Sequence, residues 1–277
     1  MVKHSAKIIL FILFLIIFCF TECNNDFLGF FTSSDLDERL AAKDNFNYLE
    51  PRGWTTLSLK DENDYSFIVF TDTHIEDGNA QEMEKIADVI RNNGLEFAVV
   101  LGDITQYGSA QDINKFIEIA ELFNVPCYPV IGNHDVYFNN WHNWRDLIGS
   151  TSYKIAGNGI TLFILDSANS FFGRQQLDWL ENNIKTVKGK VFVFTHATFF
   201  VNGPADMQQL SDTRERAKII SILRNKCDMV FMGHSHERYI NSAGNVKYIT
   251  IEDYKSKKVY CIVTVKNSVV TYKFGKI

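Results

Sequence analysis

The stretch VFMGHSHERYI, residues 230–240, carries two histidines, His234 and His236, that are separated by one residue. The chain has only seven histidines, and these two directly follow a wholly apolar run, MVFM, at 229–232. Side chains two positions apart in an extended strand point the same way, so both rings are expected on one side. A buried strand that opens into a loop at Gly233 fits a metal site, and it equally fits a polar loop that happens to hold two histidines. The motif alone leaves both readings open.

Strand-like and helix-like patterns alternate along the chain from Tyr65 onward. The strand-like runs are SFIVF (66–70), FAVVL (97–101), CYPVI (127–131), ITLFIL (160–165), KVFVFT (190–195), MVFM (229–232), KYITI (247–251), VYCIVTV (259–265) and SVVTYKF (268–274). The helix-like ones are AQEMEKIADVIRNN (80–93), SAQDINKFIEIAELF (109–123), RQQLDWLENNIKTV (174–187) and RERAKIISILRNK (214–226). In the first helix-like segment Met83, Ile86, Ala87 and Ile90 share one face, which predicts core contacts for them. The last three strands follow without helices, which predicts one α/β domain over 65–277 whose sheet is completed by antiparallel strands.

Polar side chains that can bind metals follow five of these strand-like runs. In an open α/β sheet, groups beyond the carboxyl ends of the strands converge on one crevice. Only His4 and His142 among the histidines lie elsewhere. The pair at 234 and 236 is therefore expected to belong to a larger cluster. Its members, strand by strand, are Asp72 and His74; Asp103; Asn133, His134 and Asp135; His196; and His234 and His236.

The five groups also form an ordered signature across about 165 residues. They read D-x-H at 72–74, G-D at 102–103, G-N-H-D at 132–135, a single histidine at 196, and G-H-S-H at 233–236. In this order the chain resembles the calcineurin-like metallophosphoesterase superfamily. The segment GRQQLDWLENNI (173–184) is similar to a helix common in the phosphodiesterase-like branch of that superfamily.

The resemblance implies an α/β fold of the metallophosphoesterase type, a four-layered α/β/β/α sandwich with two metal ions. It implies that Asp103 bridges the two ions, that His134 acts catalytically beside the leaving oxygen, and that Asp135 orients the loop. The carboxylate, amide and imidazole ligands suit two divalent or trivalent transition-metal ions such as Mn, Fe, Zn or Co. The implied ligands are Asp72, His74, Asp103 and His236 for the first ion, and Asp103, Asn133, His196 and His234 for the second.

Two positions depart from the better-defined branches of the superfamily. The Ser/Thr protein-phosphatase branch has an aspartate three residues after the bridging one, where this chain has Gln106. The purple acid phosphatase branch has a metal-binding tyrosine at the same offset, and Tyr107 lies one residue too far along. These departures favour the broad phosphodiesterase-like group.

The resemblance predicts a hydrolase that cleaves a phosphoester bond with a hydroxide held between the two metals. Two alternatives remain at this point. The same site would serve a phosphomonoesterase or a pyrophosphate-bond hydrolase, and a surface protein that binds metal without turnover would keep the same ligands. The intact ligand set together with His134 argues against this last alternative.

The N-terminus predicts export. Lys3 and Lys7 precede a 13-residue apolar run at 8–20, which suits a secretory signal and is shorter than the roughly 20 residues of a membrane span. Cys23 stands where a bacterial lipoprotein signal is cut and lipidated, although Glu22 replaces the usual small residue. We predict a signal peptide over 1–22, a linker with a short helix over 23–64, and a membrane-anchored lipoprotein or a periplasmic or extracellular protein. An uncleaved anchor is the alternative.

The net charge argues against a nucleic-acid-binding protein, and the cysteines argue against a disulfide-bonded or thiolate-zinc protein. Removal of Lys3, Lys7 and Glu22 from the 28 basic and 33 acidic residues leaves 26 and 32, a net charge of −6. No basic run is present, so an extended nucleic-acid partner is not expected. The remaining cysteines after Cys23 lie in or beside apolar runs without chelating pairs, which predicts buried thiols rather than disulfides or a thiolate zinc site. These are Cys127, Cys227 and Cys261.

Overall fold

A computed structural model describes residues 24–42, 45–46, 57–200 and 209–277, and its strands form two sheets. In the first sheet β1 (Asp64–Phe70), β2 (Ala98–Val100) and β3 (Cys127–Pro129) are parallel neighbours. β10 (Val259–Lys266) pairs with β1 in the antiparallel direction, and β11 (Val269–Lys276) pairs with β10 in the same way. The order is therefore β11-β10-β1-β2-β3. The last two strands complete the early sheet in the antiparallel direction, as predicted, whereas the first of the three predicted late strands, KYITI, is a parallel strand of the second sheet.

The second sheet has a parallel centre and antiparallel edges. Its central strands are β5 (Ile160–Ile164), β6 (Lys190–Phe194), β7 (Met229–Met232) and β9 (Val246–Thr250). The edges are β4 (Tyr153–Gly157), which pairs with β5, and β8 (Tyr239–Ala243), which pairs with β9. The central strands are buried on both faces, which explains their continuous apolar sequences.

Helices cover the outer face of each sheet, and a core fills the space between the sheets. Phe67 of β1 meets Phe192 of β6 in that central core, with ring centroids 5.1 Å apart. Outside the first sheet lie α3 (Lys85–Asn93), α4 (Ala110–Leu122) and α5 (Trp141–Leu147). Outside the second lie α6 (Arg174–Ile184) and α7 (Thr213–Leu223). This arrangement confirms the predicted α/β/β/α sandwich.

Three details differ from the sequence prediction. α3 begins at Lys85 rather than at Ala80, because Gln81 and Glu82 have φ of 55° and 64°, which a right-handed helix excludes. Met83 is nevertheless buried in the core. A short helix, α8 (Tyr254–Lys257), separates β9 from β10, where the sequence predicted none; Asp253 accepts a hydrogen bond from the Ser256 amide at 2.7 Å and caps it. The edge strands β4 and β8 were not predicted.

Two helices precede the first sheet, α1 (Asn24–Phe31) and α2 (Leu36–Leu40). α1 packs against a 3₁₀ helix at His134–Asn139. The predicted signal peptide, 1–22, and Cys23 lie outside the described residues, and the domain boundaries stay a prediction. Across the described ranges, no helix combines the length and apolar character that a membrane span requires.

Candidate metal centre

The loops that follow β1, β2, β3, β6 and β7 bring all the predicted site residues to one edge of the two sheets. Most of these side chains stand on unusual backbone, because five of the seven predicted ligands have φ between 44° and 70°. Non-glycine residues in this left-handed region are uncommon, and they concentrate at functional sites. The five are Asp72, His74, Asp103, His234 and His236. Gly102, with φ of 92°, leaves room for the site, since a Cβ there would lie 2.6 Å from His196 Nδ1.

One group of ligands consists of Asp72, His74 and His236, whose ligating atoms lie within 4.8 Å of one another. His236 Nε2 is 3.2 Å from Asp72 Oδ1, and His74 Nε2 is 3.9 Å from the same oxygen. The other carboxylate oxygen, Oδ2, accepts hydrogen bonds from the Thr71 hydroxyl at 2.5 Å and from the His234 amide at 3.0 Å. These bonds hold the carboxylate so that Oδ1 faces the two imidazoles.

A second group consists of Asp103, His196 and His234, and Asn133 joins it. His196 Nε2 lies 3.2 Å from Asp103 Oδ2, 3.0 Å from Asn133 Oδ1 and 3.1 Å from His234 Nδ1. His196 Nδ1 lies 2.8 Å from the Leu101 carbonyl oxygen, which can only accept. Nδ1 therefore carries the proton, and in the neutral ring Nε2 offers a lone pair.

These donor sets fit metal ions. Around His196 Nε2 a carboxylate oxygen and an amide oxygen, both acceptors, lie within 3.2 Å of the ring nitrogen, so either a proton or a metal ion must lie between them. In the first group Asp72 Oδ1 and His74 Nε2 are buried and make no hydrogen bond with any described residue. Buried acceptors that face one another are costly without a shared cation. Transition-metal ions bind such combinations of imidazole, carboxylate and amide oxygen.

The electrostatics of the cluster support the same reading. Burial lowers the pKa of His74 to about 4, and burial with the neighbouring His196 lowers the pKa of His234 to about 4. Both rings are therefore neutral at pH 7, as metal ligands must be. Burial also acts to lower the pKa of His196, but Asp103 outweighs it and raises the pKa to about 9. Without a metal ion the His196 ring therefore carries a second proton on Nε2 at pH 7, and a bound metal ion would take the place of that proton.

His134 lies beside both groups. Its Nε2 is 4.0 Å from Asp103 Oδ2, and its ring centroid is 4.6 Å from that of His74. These three residues also come within common reach of one ion, so geometry alone leaves His134 as a possible ligand. Its Nδ1 donates to the backbone carbonyl of Gln106 at 2.9 Å, which leaves Nε2 directed away from that bond. Its side chain is 15% exposed, more than that of His74 or His196.

Asp135 does not face the ligating atoms. Its carboxylate accepts hydrogen bonds from the amides of Ile104, Thr105 and Gly132 and from the Thr105 hydroxyl, at 2.8–3.3 Å. Burial, with the nearby Asp103, raises the pKa of Asp135 to about 6. The residue ties the loop after β3 to the loop after β2, which is the orienting role that the resemblance implies.

The comparison with known families decides the identity of this fold. A model of the calcineurin-like phosphoesterase family matches residues 65–238, and all the predicted site residues fall inside that range. The chain belongs to the calcineurin-like phosphoesterase family.

Relatives within this family include proteins with phosphodiesterase names. The chain is 25% identical over 163 residues to a Fibrobacter succinogenes protein named "Probable cyclic nucleotide phosphodiesterase", covering 56% of this chain and 64% of that protein. It is 30% identical over 157 residues to a "Probable glycerophosphodiester phosphodiesterase" of Arcobacter nitrofigilis, covering 51% and 56%. The match thus spans less than two thirds of either relative. These names support the phosphodiesterase-like branch.

Solved structures support the fold of the calcineurin-like phosphoesterase family. A dimetal phosphatase from Danio rerio superposes with a TM-score of 0.64 at 14% identity, covering 76% of this chain and 95% of that protein. At this identity the likeness concerns the sandwich alone.

Other residues near the site have structural roles. Trp141 and Trp144 are buried in the core beneath α5, whereas His142 is exposed on that helix. Cys127, Cys227 and Cys261 are buried thiols that form no disulfide among the described residues, as predicted. The sequence prediction missed several residues that contact the ligands or their partners, including Tyr137, whose hydroxyl accepts a hydrogen bond from the Asn133 side-chain amide. Gln106 was noted only as a departure from the protein-phosphatase pattern, and Asp26 and Lys255 lie outside every motif.

Proposed function

We propose that this protein is a metal-dependent phosphoesterase that hydrolyses phosphodiesters at a dinuclear centre. Family membership supports a phosphoester substrate, and the two relatives named as phosphodiesterases favour a diester. The observation that carries the proposal is the convergence of seven candidate ligands and His134, with buried acceptor atoms that face one another.

The ligands divide into two sets that share Asp103. Asp72, His74, Asp103 and His236 would hold the first ion, and Asp103, Asn133, His196 and His234 the second. Two transition-metal ions, when bound there, acidify water and neutralise the charge on phosphoryl oxygens. Asp103 Oδ1 accepts a hydrogen bond from the His134 amide at 2.8 Å, which fixes the carboxylate between the two sets.

His134 supplies proton transfer in this proposal. The Gln106 carbonyl holds its Nδ1–H, so the second ring proton of the imidazolium sits on Nε2. As the bond from phosphorus to the leaving oxygen breaks, that proton passes to the alkoxide, and the ring is left neutral. General acid catalysis of this kind is typically worth 10²–10⁴-fold in rate.

The proposal is tested by measuring hydrolysis of each substrate class with each metal. The purified chain is loaded separately with Mn²⁺, Fe²⁺, Zn²⁺ or Co²⁺ and assayed on phosphomonoesters, phosphodiesters, pyrophosphate bonds and phospholipids. Metal-dependent cleavage that is fastest on diesters supports the proposal. Faster cleavage of monoesters or pyrophosphate bonds would assign those substrates instead. Two bound ions without turnover on any substrate would indicate a binding protein.

We also propose that the protein is exported and held at a membrane by a lipid on Cys23. The support is the sequence of the N-terminus, in which Lys3 and Lys7 precede a 13-residue apolar run and Cys23 follows it. Mass spectrometry of the protein from the membrane fraction would detect the first residue and any acyl chains. A chain that retains residues 1–22 would contradict the proposal.

A further inference from the structure

Helix α1 (Asn24–Phe31) precedes the region that the family model matches, yet it lies against the metal centre. It packs on the 3₁₀ helix that begins at His134. Asp26 accepts a hydrogen bond from Gln106 Nε2 at 3.1 Å. Gly29 packs so closely on Tyr137 that a Cβ at position 29 would lie 2.6 Å from the Tyr137 ring. Gln106 and Tyr137 each contact a candidate ligand.

Gln106 connects Asp26 to His74. The Gln106 side chain is buried, and its Oε1 lies 2.9 Å from His74 Nδ1 and 3.2 Å from Lys255 Nζ. Lysine only donates and a carboxylate only accepts, so Lys255 and Asp26 together fix which end of the amide faces which neighbour. With Oε1 toward the ring, His74 must donate from Nδ1, and its unpartnered Nε2 faces the first ligand set.

Tyr137 connects Gly29 to the second ligand set. The Asn133 side-chain amide donates from Nδ2 to the Tyr137 hydroxyl at 3.1 Å. That bond turns Asn133 Oδ1 toward His196 Nε2, 3.0 Å away. The Tyr137 ring also packs on His134, with centroids 4.5 Å apart.

We propose that α1 positions ligands of the metal centre, with Asp26 and Gly29 as its positioning residues. Asp26 acts through Gln106 on His74, and Gly29 acts through Tyr137 on Asn133, so the helix supports one ligand in each set. Hydrogen-bond partners of metal-ligating histidines set the tautomer and the ring orientation, and their loss typically lowers metal affinity 10–100-fold. The inference rests on the metal sites of the proposed function and does not depend on the substrate.

The contact from Asp26 through Gln106 to His74 is tested with the full chain and Co²⁺ alone. Equilibrium dialysis measures the affinity for Co²⁺, and visible absorption reports the coordination of the bound ion. Because Asp26 is exposed and Lys255 still holds Oε1, Asp26→Ala should weaken binding of one Co²⁺ about tenfold, the lower end of that range. Gln106→Glu should also weaken it, since a second carboxylate would then face Asp26. Combining Gln106→Glu with Asp26→Asn restores a donor opposite the carboxylate and should restore both the affinity and the spectrum.

The contact between Gly29 and Tyr137 is tested with Gly29→Ala, which should lower metal affinity even though it stabilises the helix. Alanine favours the helical conformation more than glycine does, yet Gly29→Ala should displace Tyr137 and weaken the binding of the other Co²⁺. The matched control is Phe30→Ala, since Phe30 lies on the same helix and is 62% exposed. It should bind Co²⁺ like the wild type.

The outcomes separate this inference from the proposed function. Wild-type affinity in both Asp26→Ala and Gly29→Ala would overturn the inference. So would an equal loss in Phe30→Ala, or a double variant that binds no better than Gln106→Glu. A wild-type chain that binds two Co²⁺ ions and hydrolyses nothing would refute the proposed activity while leaving the role of α1 intact. Failure of the wild type to bind Co²⁺ would overturn both.

Discussion

Arg39 and Asp166 form a fully buried ion pair in which one guanidinium holds both carboxylate oxygens. Nε lies 2.8 Å from Oδ2, Nη2 lies 2.9 Å from Oδ1, and both side chains are 0% exposed. Arg39 belongs to α2, and Asp166 follows β5 of the second sheet. The same guanidinium donates to the Ser34 carbonyl at 2.7 Å and to Asn169 Oδ1 at 2.7 Å. The pair therefore fastens the N-terminal helices to the sandwich.

Arg39→Met should lower the free energy of unfolding by about 3–5 kcal/mol, because it leaves Asp166 charged and buried without its cationic partner. Urea unfolding of the full chain measures the loss. Replacing both residues, as Arg39→Met with Asp166→Leu, should recover much of the stability. Arg174→Met is the control, since the Arg174–Asp178 pair is exposed and such pairs contribute about 0–1 kcal/mol. A loss in Arg39→Met no larger than in this control would contradict the prediction.

Cys23→Ser should release the protein from the membrane fraction if Cys23 carries the lipid anchor. The serine hydroxyl cannot form the thioether of a lipoprotein, so the apolar acyl chains are lost. Fractionation of cells that express the two forms, followed by immunoblotting, checks this expectation. A wild-type protein that is already wholly soluble would show that no anchor exists.

Asp103→Ala should remove more metal than His196→Ala. Asp103 is shared by both ligand sets, whereas His196 belongs to one, so the first substitution weakens both sites. Total metal per chain, measured by elemental analysis after dialysis, should fall further in Asp103→Ala. Folding of both variants is checked by circular dichroism. Equal metal content in the wild type and Asp103→Ala would show that the carboxylate is not a ligand.

Cys227 and Cys261 should resist thiol reagents at pH 8 in the folded protein. Burial raises the pKa of Cys261 to about 12 and also raises that of Cys227, and only the thiolate reacts. The thiol of an unfolded chain has a pKa of about 8.5. Below that pH both states hold the neutral thiol, and its burial contributes fully to the free energy of unfolding. As the pH rises from there toward the folded pKa, the unfolded state ionises and this contribution is lost. Iodoacetamide labelling mapped by mass spectrometry should mark both residues in guanidinium chloride and neither in buffer. Rapid labelling of the folded chain would contradict the assigned burial.

The sequence was sufficient to predict which polar side chains converge, because each is adjacent in the chain to a strand whose apolar run is easily recognised. Asp72 lies two residues after the end of β1 and Asp103 three residues after the end of β2, and the sheet brings them together. The contact between Asp26 and Gln106 could not be predicted, because it joins residues 80 positions apart and α1 has no recognisable motif. β8 escaped prediction for a different reason. It is an edge strand with no fully buried residue, so its sequence lacks an apolar alternation.

His134→Ala should separate proton donation from metal binding. The proposed role places His134 beside the leaving oxygen, so the variant should keep near-normal metal content by elemental analysis. Its rate should fall by about 10²–10⁴-fold on diesters with alkoxide leaving groups, which need a proton as they depart.

The loss should shrink on nitrophenyl esters, because nitrophenolate leaves without help. Wild type and variant are compared across leaving groups of graded pKa, and a plot of log rate against that pKa should be steeper for the variant. Because His134 Nε2 lies only 4.0 Å from Asp103 Oδ2, a loss of metal in the variant would assign His134 as a ligand. A uniform drop across the series with metal retained would exclude it as the general acid.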